Sequence, residues 1–311
     1  MESRVAVASL GGTITMTGSG GVAPTLGAQD LVGGLDVGEI VTLATIPGAS
    51  LTFETLLEAF DWADRQVREG ARGVVIIQGT DTLEETAYFF DCLWPHEEPV
   101  VVTGAMRHPG LPGADGPANL AAAVSVAGAQ NSRGRGALLV INDSVHAARW
   151  VRKAHSSLPN AFESFPGPLG LCVEGAPQYF HPAHQLPALP RPLDVPTVPL
   201  IEATLDDDGS ILDWLNVRGA VVAATGVGHV SVGMAEAISR AQFPVVVATR
   251  TGAGTTFRNT YGFVGSESDL IKRGAVMAGW LCARKARVLL RLAIGAMQPI
   301  EDVFAVRGGV F

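Results

Sequence analysis

Val74-Val75-Ile76-Ile77-Gln78-Gly79-Thr80-Asp81-Thr82-Leu83-Glu84-Glu85-Thr86-Ala87-Tyr88-Phe89-Phe90 decides how the fold is read. The first four residues are apolar and β-branched and stop at Gln78-Gly79, which marks a short buried strand. Thr82 followed three residues later by Glu85 is a capping-box pattern, so a helix is expected to begin there. In α/β folds, side chains at the carboxyl end of a buried strand face the crevice where ligands bind. Thr80 and Asp81 are then the two groups left to face a ligand. Taken alone, the same stretch also reads as a plain turn and cap, since Thr and Asp favour caps for local reasons.

A second hydroxyl-bearing turn lies near the start of the chain. Residues 5–10 read as a strand, followed by Gly11-Gly12-Thr13-Ile14-Thr15. Two glycines before a threonine let the backbone turn tightly and come close to a ligand. Thr13 and Thr80, with the carboxylate of Asp81 beside one of them, make a nucleophile and acid/base set.

Working outward, strands are expected over residues 39–46, Val100–Thr103 and 137–142. Helices are expected over 30–35, 52–69, Leu83–Leu93 and 115–129, the last with Pro117 in its first turn. This alternation predicts an α/β fold: a large N-terminal domain (1–180) with a parallel sheet flanked by helices. Residues 181–199 carry Pro182, Pro187, Pro190, Pro192, Pro196 and Pro199 and read as an interdomain linker. A smaller C-terminal α/β domain (200–311) follows, with strands at 198–201, Ala220–Ala224 and Val245–Thr249 and helices at 231–241 and 285–296. The Gly-, Thr- and Ser-rich loop 13–29 beside Thr13 reads as a lid.

Composition narrows the classes. The chain has 311 residues, 47% hydrophobic and 17% charged, which fits two globular domains rather than disorder. A formal charge of −8 with no Lys/Arg cluster argues against a nucleic-acid partner. Nothing approaches the roughly 18 uninterrupted apolar residues of a membrane span. Met1-Glu2-Ser3-Arg4 leads into a strand without a charged-then-apolar leader, and Cys92, Cys172 and Cys282 are scattered in apolar surroundings. Together these give an expectation of free thiols and a cytoplasmic protein.

Several motifs resemble those of the bacterial-type L-asparaginases. Ser9-Leu10-Gly11-Gly12-Thr13-Ile14 is similar to the family's first signature, and Gln78-Gly79-Thr80-Asp81-Thr82-Leu83-Glu84-Glu85-Thr86-Ala87 to its second. Thr103-Gly104-Ala105-Met106-Arg107, Ala114-Asp115-Gly116-Pro117-Ala118-Asn119-Leu120, Asn142-Asp143 with His146-Ala147-Ala148-Arg149, Gly226-Val227-Gly228-His229-Val230 and Lys285-Ala286-Arg287 follow in the family's order. The resemblance covers essentially the whole chain. It implies hydrolysis of the side-chain amide of asparagine, with a small amino-acid amide as substrate and no metal or organic cofactor. Thr13 would be the nucleophile, assisted by Thr80, Asp81 and Lys153. It also implies a homodimer or homotetramer in which the small domain of an adjacent copy completes each site.

Amide hydrolysis needs a nucleophile, a proton acceptor, an oxyanion stabiliser and an acid for the leaving ammonia. Lys153 beside Asp81 would let Thr80 relay a proton through water, and Asp81 would pair with the substrate amine.

Three positions depart from the family's pattern. The loop after Ile14 lacks the lid tyrosine, leaving Thr15, Thr17 and Thr25 as its hydroxyls. Gly48 and Ala49 stand where a serine and a polar residue bind the substrate α-carboxylate, with Ser50 one step further on. His229 stands where an adjacent copy offers an asparagine to the substrate amine, and Glu267 is the candidate carboxylate there. Asp115, Asn119, His146 and His155 read as structural polar groups.

Other classes find less support. No His/Cys/Glu set has metal-ligand spacing, His181 and His184 lie in the Pro-rich stretch, and no Gly-x-Ser-x-Gly elbow is present. Gly252-Ala253-Gly254 lacks the context of a nucleotide site. An amidase of the same scaffold acting on glutamine or another small or modified amide stays open, as does a non-catalytic small-molecule binding protein.

Overall fold

The computed structural model describes residues 4–18 and 21–309; Met1-Glu2-Ser3, read above for a missing leader, and Ser19-Gly20 of the long loop lie outside them. Val74–Ile77 is a strand with all four residues buried, and Leu83–Leu93 is the helix after it. The capping box expected between Thr82 and Glu85 does not form, because the Thr82 hydroxyl donates instead to the Gly48 carbonyl at 2.9 Å. Glu85 N–H bonds the Thr82 carbonyl at 3.1 Å. The helix starts where its sequence says, but its first hydroxyl serves a neighbouring turn.

The chain forms two compact units that divide between Ala188 and Leu189. The first unit begins with β1 (Ala6–Ser9), and the long loop then folds into a 3-10 turn at Thr13–Thr15. A short hairpin of β2 (Met16–Thr17) and β3 (Ala23–Pro24) and a single helical turn α1 (Ala28–Leu31) follow. Next come β4 (Ile40–Thr42), α2 (Phe53–Arg68), β5 (Val74–Ile77), α3 (Leu83–Leu93), β6 (Val100–Thr103), α4 (Gly116–Gly128) and β7 (Ala137–Ile141). The order β7-β6-β5-β1-β4 is parallel throughout, as short crossovers through helices require.

Residues alternate across the sheet. Val7, Val75, Val101 and Leu138 pack beneath α4 with Leu120 and Val126. Aromatic pairs join α2 to the segment of α3: Phe53 and Phe89 centroids lie 5.5 Å apart, Phe60 and Trp94 6.1 Å, both edge to face.

Besides the short β2 and β3, the sequence reading missed the strands that complete the first unit: β8 (Ser144–Ala147), β9 (Val151–Lys153), β10 (Phe162–Ser164), β11 (Gly170–Val173) and β12 (Ala176–Tyr179). β8, β11 and β12 extend the sheet antiparallel, making it mixed and eight-stranded. Asn142 and Asp143, at φ 50° and 57°, form a two-residue turn between β7 and β8 of the kind that matches strand twist. β9 and β10 form a separate two-stranded ribbon that carries Lys153 at its end.

The proline-rich stretch is stitched down rather than loose. Arg135 bonds the His181 carbonyl at 2.9 Å, and Gln185 bonds those of Trp94 and His96 at 2.9 and 3.1 Å, all within the first unit. Beyond the division, Leu193 N–H reaches the Gly295 carbonyl, and Arg291 and Arg287 reach those of Pro196 and Val198. Prolines leave carbonyls without strand partners, and Arg and Gln side chains supply the missing donors.

The second unit is a four-stranded parallel sheet in the order β13 (Leu200–Glu202), β14 (Ala220–Ala224), β15 (Val245–Thr249), β16 (Val276–Met277). Helices α5 (Val232–Arg240), α6 (Glu267–Lys272), α7 (Ala283–Gly295) and α8 (Ile300–Arg307) belong to it. Val222, Ala224, Met234, Ile238, Val247 and Leu270 form its core. Among the described residues, no helix is long and apolar enough to cross a membrane.

Candidate active site

Three glycines bring the ends of neighbouring strands into main-chain contact. A Cβ on Gly12, which sits at φ 92°, would stand 2.1 Å from the Gly79 nitrogen and 2.2 Å from its Cα. One on Gly79 would stand 2.9 Å from the Gly48 nitrogen. No side chain fits at either place, so glycine is what lets the turns after β1, β4 and β5 touch. Thr13 follows Gly12 and Thr80 follows Gly79. The two hydroxyl turns are therefore neighbours at the carboxyl ends of adjacent parallel strands, the position from which open α/β sheets bind ligands.

Lys153 reaches this place from β9. Its Nζ donates to Thr80 Oγ1 at 2.8 Å and lies 3.7 Å from Asp81 Oδ1. The lysine side chain is 18% exposed and that of Asp81 57%, so the ammonium is sheltered while the carboxylate faces outward. A pair exposed on one side contributes about 0–1 kcal/mol to stability, which leaves orientation as its main effect. With the ammonium donating into its oxygen, Thr80 keeps its own proton for another acceptor.

Glu84, which the sequence reading did not single out, is buried in the first turn of α3 and accepts a hydrogen bond from the Lys153 backbone N–H. Nothing in the sequence couples residues 69 positions apart.

Gly48–Ser50 is a 3-10 turn after Pro47, with Gly48 buried and Ala49 and Ser50 exposed. Thr82 holds it through the Gly48 carbonyl, and Gln78 Nε2 lies 3.3 Å from Thr82 Oγ1. Of the lid-loop hydroxyls, Thr15 is buried and donates back to the Gly12 carbonyl at 2.7 Å, so it is committed to the turn. Thr17 and Thr25 hydroxyls bond each other at 2.7 Å across the hairpin.

Four polar residues read as structural do hold loops. Asp115 accepts from Met106 and Arg107 N–H at 2.9 and 2.8 Å. Asn119 donates to the Gly104 carbonyl and accepts from Asn142 N–H. His146 Nδ1 lies 2.8 Å from Ser164 Oγ, and His155 Nδ1 accepts from Ser157 and Leu158 N–H. Among the described residues, no group of three or more His, Cys, Asp or Glu gathers as metal ligands would.

In the second unit, His229 Nε2 lies 3.1 Å from Glu267 Oε2. The Glu267 side chain is 0% exposed, and its other oxygen accepts from Thr260 and Tyr261 N–H at 2.7 and 2.6 Å. Burial pushes its pKa up, but the hydrogen bonds from Tyr261, from its own backbone and from Thr260 and His229 outweigh burial and hold it below the ordinary value. A carboxylate so enclosed is not free to meet a ligand directly. His229, with 21% of its side chain exposed between the rings of Tyr261 and Phe263, is the member of the pair that reaches the surface.

Two α/β units with threonine turns, a lysine and a carboxylate gathered at parallel strand ends describe an amidohydrolase. Residues 4–185 match the family described as "Asparaginase, N-terminal" and residues 197–306 the "Glutaminase/Asparaginase C-terminal domain", so the chain belongs to the asparaginase/glutaminase family. It is 32% identical to an L-asparaginase of Bacillus licheniformis over 98% of this chain and 99% of the relative. It is 36% identical to a probable L-asparaginase of Deinococcus radiodurans over 79% and 78% of the two chains, and 30% identical to a glutaminase-asparaginase of Pseudomonas fluorescens over 97% and 89%. The crystal structure of a probable cytoplasmic L-asparaginase from Campylobacter jejuni superposes with a TM-score of 0.88 at 30% identity, covering 98% of this chain and all of that one.

Proposed function

We propose that the protein hydrolyses the side-chain amide of asparagine to aspartate and ammonia with Thr13 as nucleophile. The observation that carries this reading is the Lys153 ammonium 2.8 Å from Thr80 Oγ1 with Asp81 at 3.7 Å, beside the contact of Gly12 with Gly79. Thr13 Oγ attacks the amide carbon while its proton passes through water to Thr80 Oγ1, which hands its own proton to Lys153 Nζ; the lysine enters this step as the free amine and leaves it as the ammonium. The C–N bond breaks, the proton leaves with ammonia, and water hydrolyses the threonyl ester to free the acid. Asp81, exposed and anionic, receives the substrate ammonium. The amides and hydroxyl of the Gly48-Ala49-Ser50 turn receive the α-carboxylate.

His229 of an adjacent copy, backed by Glu267, completes the amine side, so the working form is a homodimer or homotetramer; sedimentation of the purified protein tests this. Each proton and charge has a side chain assigned to it, so the scheme calls for no metal or cofactor and activity is expected to survive EDTA. We place the protein in the cytoplasm, as the Campylobacter jejuni protein's description has it, although a probable periplasmic L-asparaginase of Haemophilus influenzae is 36% identical. Fractionation of the native cells decides between the compartments.

Thr13→Ala is expected to lower ammonia release from asparagine by about 10³-fold or more while the fold persists. Undiminished release would sink the nucleophile assignment, and undiminished biological activity without catalysis would favour a binding protein.

A second reading rests on the Gly48-Ala49 turn, which offers main chain where the family offers side-chain hydroxyls. It favours glutamine or a modified amide as substrate, and the Pseudomonas fluorescens relative is described as a glutaminase-asparaginase. Ammonia release compared across Asn, Gln, D-Asn and N- or C-blocked asparagine separates the two. Better turnover of blocked amides than of free asparagine would overturn the first.

A further inference from the structure

We infer that Glu84 is a positioning residue for the reaction, holding the Lys153 main chain so that its ammonium meets Thr80. The inference rests on the reading that Lys153 and Thr80 act together.

β9 and β10 are a two-stranded ribbon, so among the described residues β9 has one edge with no strand beside it. Successive N–H groups of a strand point to opposite sides. Ala154 N–H bonds the Ala161 carbonyl at 2.7 Å, toward β10, so Lys153 N–H points to the open edge. An edge N–H sheltered from water needs an acceptor. Glu84 supplies one from α3, and it is itself buried.

The segment that contains Glu84 also contains Thr80 and Asp81. Lys153 is thus gripped at both ends by residues 80–84: its main chain by Glu84, its Nζ by Thr80 at 2.8 Å with Asp81 at 3.7 Å. A carboxyl oxygen is a ready acceptor for a backbone N–H, and the first turn of α3 is what carries this one to the ribbon. Neither the ribbon nor α3 alone fixes where the ammonium stands. The bond between them does.

Kinetics of Glu84→Ala, Glu84→Gln and Lys153→Met on the full-length protein test this. Lys153→Met should abolish most turnover. Glu84→Ala should lower kcat about 100-fold with KM within about threefold, since a misplacement of about 1 Å costs that much. Glu84→Gln keeps an acceptor oxygen and should recover kcat to within about tenfold of the parent. The Lys153 amide proton, deshielded by the carboxylate, should move upfield in both Glu84 variants. If Glu84→Ala is unstable, the Gln variant and its amide resonance carry the test. Loss of activity in Lys153→Met with full kcat in Glu84→Ala and Glu84→Gln, and an unmoved amide resonance, would overturn the inference and leave the lysine reading intact. Full activity in Lys153→Met would take down both.

Discussion

Thr82 shows how a single hydroxyl is committed. Its bond to the Gly48 carbonyl ties the helix start after β5 to the turn after β4, at the expense of the capping box its sequence advertises. Thr82→Val should therefore cost about 1 kcal/mol of stability, and under the proposed function it should raise KM for asparagine several-fold while changing kcat less. Steady-state kinetics and a thermal melt read both effects.

Cys172 gives a second residue-scale prediction. Burial, with Asp143 adding to it, pushes its thiol up to about 11, so little thiolate is present near neutrality. Iodoacetamide should label it slowly at pH 8 and readily only as the pH approaches 11, as mass spectrometry of the peptide would show. At this scale the sequence made Thr13, Thr80 and Asp81 legible, because glycine before threonine at a strand end has a local meaning. Lys153 came from resemblance alone, and Glu84 from neither. A contact between residues 69 positions apart leaves no periodic or local trace.

The parallel strands β1, β5, β6, β7, β14 and β15 were readable because each is a uniformly buried apolar run, whereas the two-residue β16 and the helices α6 and α8 went unread. The strands between residues 144 and 179 were not readable. They are only partly buried and mix polar with apolar residues, with Gly170 opening β11 and Pro177 inside the edge strand β12. Two signals for them were present: Asn142-Asp143, and Glu174-Gly175 at φ 52° and 77°, each turning one strand back on the next.

The glycine contacts also predict at this scale. Gly79→Ala and Gly12→Ala would each drive a methyl into neighbouring main chain, and at Gly12 the positive φ adds strain. Each should cost about 3 kcal/mol or more, where an unstrained surface glycine replaced by alanine changes stability by about 0.5 kcal/mol or less, measured by denaturant unfolding.

Across the whole molecule, stability should fall in acid for identifiable reasons in each unit. Glu98 in the first unit is pushed up by burial, but backbone hydrogen bonding and Arg133, 2.6 Å away, outweigh this and hold its carboxyl below the ordinary value of 4.5. Glu267 in the second unit is held below 4.5 in the same sense. Both folded values are depressed, so the stability they add is complete above about pH 4.5 and is lost as the pH falls through the folded values. Glu267→Gln should lower stability at pH 7 and flatten the acid limb of an unfolding series; an unchanged limb would show that its hydrogen bonds carry no charge-dependent stability.

Because the three glycines meet through main chain alone, the spacing between the two threonine turns cannot be adjusted one side chain at a time. Any descendant of this chain that keeps folding inherits that spacing. Changes of diet must then be written beside these turns, at exposed positions such as Ala49 and Ser50.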